Sequence, residues 1–259
     1  MLKLASLGSG SKGNSLLVAA SISGKNKATV MFDCGFSLRD LRRRLDRVGC
    51  RPEEISAIFV THEHGDHAHG VLPLAKRYGI PVWMSAGTFQ GMGKDFSDVD
   101  LNFCRDGDCV EIAGLKITAF TISHDAREPL QFHLTDGVSK IGMLTDTGQV
   151  TPHIHRELSA CHLLVLECNY DTDMMKVSVY PEHLKRRIRS VYGHLSNDDA
   201  SNFLQKIDKS YLHTVIAAHL SQHNNLPEYA RKAVEKIASM HGILVKVANQ
   251  NDGVDWINV

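Results

Sequence analysis

Apolar residues fall along this chain in two alternating rhythms: short aliphatic and β-branched runs bounded by Gly, Pro and polar turns, and longer stretches with apolar positions three and four apart. The first rhythm predicts strands over Met1–Leu7, Leu16–Ala20 and Ala28–Phe32, a strand ending at Val60, and others over Pro81–Met84, Leu115–Ile122, Lys140–Thr145, Leu163–Leu166 and Thr214–Ala218. The second predicts helices over Leu38–Val48 with Gly49 as its stop, Asp66–Tyr78 ending at Gly79, Pro152–Leu158, Pro181–Val191, Asn197–Ile207 and Leu226–Ala238. Strands and helices alternate with no linker, fixed-period repeat or low-complexity segment, so the expectation is an α/β chain forming one domain over residues 1–259.

Ionisable residues gather where the predicted strands end. Directly behind Ile58-Phe59-Val60 comes Thr61-His62-Glu63-His64-Gly65-Asp66-His67-Ala68-His69-Gly70. His62 and His64, two apart on extended backbone, point the same way, while Asp66 and His67 lie across the turn at the helix start. One pair suits one cation and the other pair a second. A solvated His-rich loop is the plain alternative, but the density of ligand-type residues behind an apolar strand favours metal. Each ion needs further donors, and His124, Asp146 and His219 each follow a predicted strand, where scaffolds present functional side chains. Taken singly, such a His reads as an ordinary core or surface residue; recurrence at successive strand ends argues against that.

In order along the chain, Phe32-Asp33-Cys34-Gly35, the His62–His67 cluster, Ser123-His124-Asp125, Thr145-Asp146-Thr147-Gly148 and Ala218-His219-Leu220-Ser221 resemble the metallo-β-lactamase superfamily. More narrowly, Gly8-Ser9-Gly10-Ser11-Lys12-Gly13-Asn14-Ser15, Leu184-Lys185-Arg186-Arg187-Ile188, Gly193-His194-Leu195-Ser196-Asn197, and His219-Leu220-Ser221 with Asn224-Asn225 resemble its YycJ/WalJ branch. The resemblance implies a four-layer αββα sandwich, two mixed β-sheets flanked by helices, with two divalent metal ions at one edge. It places His62, His64 and His124 on one ion, Asp66, His67 and His219 on the other, and Asp146 between them, with Asp33 ordering the cluster from behind. Nitrogen and carboxylate donors without thiolate suit zinc first and also admit manganese, iron or nickel. Glu167 and His194 are similar to the acid-assisting pair of ribonuclease Z-type relatives, in which a carboxylate fixes an imidazole that protonates the departing alkoxide. Read without the resemblance, Glu167 is equally a strand-end acid, and His194 equally a residue at the start of the helix behind Ser196-Asn197.

Composition narrows the partners. Lys plus Arg equals Asp plus Glu at 29 each, so any attraction for nucleic acid has to be local. Arg39, Arg42, Arg43, Arg44 and Arg47 crowd one helix and Lys185, Arg186, Arg187 and Arg189 another; such runs are usually solvated faces, although the second stands between Glu167 and His194 and could flank a cleft. Ser9–Ser15 reads as a hairpin connection whose backbone N–H groups and Lys12 could also meet phosphate. His223-Asn224-Asn225 either lines the pocket or caps the helix that follows. Six Cys with no paired close spacing read as reduced thiols, and no eighteen-residue apolar run or signal-type start occurs, so a cytoplasmic protein with no membrane contact is expected.

Spacing excludes two elaborations. Only 72 residues separate Asp146 from His219, too few for the β-CASP insertion of larger nucleases, and the 21 between His124 and Asp146 leave no room for the tRNA-gripping arm of ribonuclease Z. The expected activity is therefore hydrolysis of phosphodiesters by a dinuclear centre, most concretely as a DNA exonuclease, with DNA preferred over RNA. In that reading Asp66 steers the attacking water while serving as a ligand, and His194, positioned by Glu167, supplies the leaving-group proton. The alternative is a phosphodiesterase for a small cyclic or phosphoribosyl ester. A thiolesterase or lactamase would leave Glu167 and His194 idle, and a non-catalytic binding module would have no use for an intact cluster.

Overall fold

Strands apolar on both faces, such as residues 163–166 and Thr214–Ala218, require both faces of their sheet to be covered, and the chain meets that need by stacking two sheets and clothing each outer face with helices. The structure, a computed structural model, describes residues 2–22 and 26–259; Met1, predicted as the start of the first strand, lies outside them. In chain order the elements are β1 (Leu2–Gly8), β2 (Ser15–Ile22), β3 (Asn26–Phe32), α1 (Leu38–Arg47), β4 (Ile55–Phe59), α2 (Gly65–Ala68), α3 (Val71–Tyr78), β5 (Val82–Met84), α4 (Ala86–Met92), β6 (Leu101–Phe103), β7 (Cys109–Ile112), β8 (Leu115–Thr121), β9 (Leu130–Thr135), β10 (Lys140–Leu144), α5 (Pro152–Leu158), β11 (Leu163–Glu167), α6 (Thr172–Val177), α7 (Glu182–Ile188), α8 (Asn197–Lys206), β12 (Thr214–Ala218), α9 (Pro227–Ala238), β13 (Leu244–Val247) and β14 (Val254–Asn258).

One sheet runs β14-β1-β2-β3-β4-β5-β6 and the other β13-β12-β11-β10-β9-β8-β7. Both are mixed: β3 to β6 are parallel, as are β10 to β13, while the hairpins β1-β2-β3 and β7-β8-β9-β10 are antiparallel. Three apolar layers result. The inner faces bury Leu4, Val30, Phe32, Phe59, Phe132, Met143 and Val165 between the sheets. Leu41, Leu45, Val71 and Leu74 seal α1 and α3 onto the first sheet. Leu158, Phe203, Leu204, Val234 and Ile237 seal α5, α8 and α9 onto the second. This is the αββα arrangement, and its parallel strands deliver the carboxyl ends of β3, β4, β10, β11 and β12 to one edge, where open α/β sheets place their ligands.

Two predicted helices differ from what forms. The helix expected over Asp66–Tyr78 is two, α2 and α3, because the bond that would join them is spent elsewhere: the Gly70 N–H donates to Cys34 O at 2.7 Å, and Asp66 O accepts from Asn14 N at 2.8 Å. The helix expected over Pro181–Val191 ends at Ile188, since Ile188 O accepts from His194 N at 2.9 Å and a turn closes from Ser190 O to Gly193 N. Strands β6, β7, β13 and β14 and helices α4 and α6 were not anticipated; β6, β7 and β13 have only three or four residues, too few for a period of two to register. Among the described residues no helix is long and apolar enough to cross a membrane.

The aromatic stack at the centre of the inner layer fixes the spacing of the sheets behind the site. Phe59 lies 5.6 Å from Phe32 and 5.4 Å from Phe132, ring centre to ring centre, and is fully buried. Phe59→Ala is expected to lower the unfolding free energy by about 3–5 kcal/mol in urea titrations, with Phe59→Leu costing clearly less; a loss under about 1 kcal/mol for the alanine variant would contradict this packing role.

Candidate active site

The polar residues at the carboxyl edge converge because the backbone bends sharply as it leaves three strands. Asp33, Asp146 and His219 have φ of 59°, 57° and 57°, left-handed backbone that non-glycine residues seldom adopt. Each bend is fastened: Asp33 N donates to Phe59 O at 2.8 Å, Asn169 Nδ2 donates to His219 O at 2.9 Å, and His219 N donates to Ser9 Oγ at 2.8 Å. Thr147 N, just beyond Asp146, donates to Glu167 Oε2 at 3.1 Å.

All seven residues singled out as ligands come together. His62, His64 and His124 form one group, Asp66, His67 and His219 a second, and Asp146 joins His62 and His67 in a third; within each group the donor atoms lie no more than 4.8 Å apart. His62 Nε2 is 3.1 Å and His124 Nε2 3.3 Å from His64 Nδ1. Across the cluster His67 Nε2 stands 3.4 Å from Asp146 Oδ2, and His219 Nε2 stands 3.2 Å from Asp146 Oδ1.

Groups behind the rings set which nitrogens face inward. Asp33 accepts from Thr61 N at 2.8 Å and from the Thr61 hydroxyl at 2.9 Å, so that hydroxyl, its proton committed, can only accept from His62 Nδ1 at 2.9 Å. Asp33 also accepts from His67 Nδ1 at 2.8 Å, and Gly193 O accepts from His124 Nδ1 at 3.3 Å. When neutral, His62, His67 and His124 therefore present bare Nε2 lone pairs to the middle of the cluster.

Electrostatics divides the cluster into neutral donors and charged pairs. Burial holds His62 well below the usual imidazole range, helped by His67, and burial lowers His124 as well, against the pull of Asp146. Burial would also lower His67, but Asp146, Asp66 and Asp33 raise it well above its ordinary value; the same contest lifts His219 to about 10, with Asp146 foremost. Burial works to raise Asp146 and Asp66, yet His219 and His67 hold Asp146, and His67 and His219 hold Asp66, as carboxylates well below their usual range. The carboxylates thus demand positive charge, which protons on His67 and His219 or a bound cation can provide. Asp146 Oδ2 and His219 Nε2 are fully buried with no hydrogen-bond partner, a costly state for polar atoms and one that coordination relieves. The donor set, its burial and these orphaned atoms fit a divalent metal.

Beside the cluster, Glu167 is fully buried and His194 partly exposed, with His194 Nδ1 2.8 Å from Glu167 Oε1. Glu167 Oε2 also accepts from Leu195 N at 3.1 Å. Burial pushes Glu167 up, but His194 and His219 together hold it below its usual range, as an anion. The ring of His194 stacks on that of His219, centres 5.3 Å apart and 16° from parallel. The turn that carries it lies on Gly148, where an added Cβ would meet Ser190 O, Val191 C and Gly193 N of the 190–193 backbone.

Several contributors escaped the sequence. Ser9–Ser15 is indeed the connection between β1 and β2, yet Asn14 reaches the cluster, its Nδ2 3.3 Å from Asp66 Oδ2 and 3.1 Å from His67 Nε2. Thr61, Asn169 and the Gly193 carbonyl act from behind, with no residue type that marks them. Asn225 is a fastener, donating to Cys168 O and pairing with Asn197 at 2.9 Å, while His223 is exposed against Tyr180. Of the basic runs, Arg44 is buried and holds Leu7 O and Asn251 O at 2.7 Å, whereas Arg187 pairs with Asp125 next to His124. All six cysteines are free thiols, and burial pushes that of Cys34, beside Asp33, up to about 12.

Comparison with known proteins agrees with this architecture. The profile of the beta-lactamase superfamily domain matches residues 28–220. An exodeoxyribonuclease YycJ of Bacillus anthracis is 31% identical over 239 residues, 91% of this chain and 89% of the relative. An exodeoxyribonuclease WalJ of Streptococcus pneumoniae is 31% identical over 233 residues, 88% of this chain and 85% of the relative. Among solved structures, the metallo-beta-lactamase fold protein YhfI from Bacillus subtilis superposes with a TM-score of 0.75 at 16% identity, covering 100% of both chains. Strand order, layering and the matched profile together establish that this chain belongs to the β-lactamase superfamily, in its metallo-β-lactamase fold.

Proposed function

We propose that the chain is a divalent-metal-dependent phosphodiesterase that shortens DNA strands from an end. The observation that carries the reading is the Glu167–His194 pair set against the His/Asp cluster, a proton donor held beside the place where charge would be neutralised. The relatives named exodeoxyribonucleases, matched along most of their length, support DNA as the substrate. His62, His64 and His124 would hold one ion and Asp66, His67 and His219 a second, with Asp146 facing both; zinc suits these donors, and manganese, iron or nickel are compatible. Bound there, such ions neutralise phosphoryl charge and acidify water.

The side chains supply the rest. Asp66, the most exposed of the cluster's carboxylates, orients the attacking water. His194, its Nδ1 fixed by Glu167, carries on Nε2 the proton that the departing alkoxide needs. The buried Glu167 anion supports the imidazolium and holds the ring in one orientation. Six free thiols accord with a reducing, cytoplasmic setting. Zero net charge favours a second reading, a phosphodiesterase for a small ester that needs no extended basic track.

Three outcomes are expected. Purified protein loaded with zinc should retain two ions per chain by elemental analysis, and His64→Ala should retain fewer; retention of none by the wild type refutes the metal proposal. His194→Ala should lose about 10²–10⁴-fold in turnover on substrates with alkoxide leaving groups while its metal content stays intact; undiminished turnover rules out the acid role. End-labelled DNA, RNA and a small chromogenic phosphodiester compared in parallel should show progressive shortening of DNA, whereas activity confined to the small ester would replace the nuclease reading with the second.

A further inference from the structure

A strand end that reaches the cluster must pass its rim, and the rim beside His124 and His194 offers an aromatic surface with no role inside the protein. Tyr192 is 58% exposed, and its ring and hydroxyl take part in no hydrogen bond or ring stacking among the described residues. A lone exposed tyrosine is ordinary. What sets this one apart is the backbone that presents it.

Tyr192 O accepts from Asp125 N at 3.1 Å, the next carbonyl, Gly193 O, accepts from His124 Nδ1 at 3.3 Å, and the next residue is His194. The 190–193 turn closes from Ser190 O to Gly193 N at 2.9 Å and rests on Gly148 so closely that no Cβ fits between. Its inner side is thus occupied by backbone, and the ring is held outward on a support locked to the cluster. Positive charge lies close by. Arg127, three residues beyond His124, is exposed, with its guanidinium in no ion pair among the described residues, and Arg187 is 62% exposed while paired with Asp125. An exposed aromatic ring on a fastened turn, with Arg187 tied to the residue that bonds its carbonyl, is a combination suited to an unpaired nucleotide, base on the ring and phosphate on the cation. It also answers the zero net charge, because the attraction is confined to the rim.

We propose that Tyr192 is the residue on which the base next to the scissile phosphate stacks, so that the site selects an unpaired nucleic-acid terminus over a bare phosphodiester. This rests on the nuclease reading above. The test uses metal-loaded full-length protein and short fluorescein-labelled oligothymidylates, either intact or carrying an abasic nucleotide at one end or the other, with anisotropy for binding and the rate of shortening for kcat/KM. The wild type should favour the intact strand over one of the abasic strands by about tenfold, in the range that stacking one base on an aromatic ring contributes. Tyr192→Ala should bring that ratio close to one, and Tyr192→Phe, which keeps the ring, should preserve it. A purely structural role would depress both strands together and leave the ratio standing, which overturns the proposal, as does a wild type with no base preference. A wild type that engages neither strand sinks the nuclease reading itself, whereas binding without base preference removes only the role of Tyr192.

Discussion

Asp146, at 2% exposure, sets a carboxylate where water cannot solvate it, and a charge so placed persists only against compensating positive charge. The neighbours that could supply it, His67 and His219, are themselves buried, so each ring depends for its charge on surrounding carboxylates, Asp146 foremost among them. The whole edge depends on this mutual need. It explains why the inward-facing atoms are nearly all donors of lone pairs, why Asp33 and Thr61 are spent on fixing ring tautomers, and why two of the buried atoms without a hydrogen bond, Asp146 Oδ2 and His219 Nε2, lie at the centre of the cluster.

The same edge serves a second purpose through its asymmetry. His62 and His64 stand in the connection behind β4, whereas Glu167 and His194 join β11 to the turn before α8, where the ring of His194 lies 5.3 Å from that of His124. Glu167 is held by two backbone N–H groups and one imidazole, which leaves its geometry little freedom. If His194 carries the leaving-group proton as proposed, such tethering would hold it in one place, and orientation of that kind is a substantial part of rate enhancement.

Much of this was legible in the sequence because strand ends are marked by the run that precedes them. His124, Asp146 and His219 each follow an apolar stretch, and the His62–His67 cluster is dense enough to stand out alone. Alternating strands and helices pointed to an α/β chain, while the four layers followed from the resemblance to the metallo-β-lactamase superfamily. What stayed hidden was decided by distant partners. The break between α2 and α3 depends on Cys34 and Asn14, remote in sequence, and nothing local at Gly70 announces it. Asn14 and Ser9 sit in a loop whose composition suits any hairpin, and Gly193 contributes a carbonyl that every residue possesses. Short edge strands such as β6 and β13 carry too few residues for a period of two to register.

Left-handed backbone at Asp33, Asp146 and His219 has an evolutionary consequence. Glycine would adopt that conformation at no steric cost, so these three side chains are kept against backbone strain. A lineage released from the need to hydrolyse anything would be free to drift toward more durable but inert descendants at these three positions first.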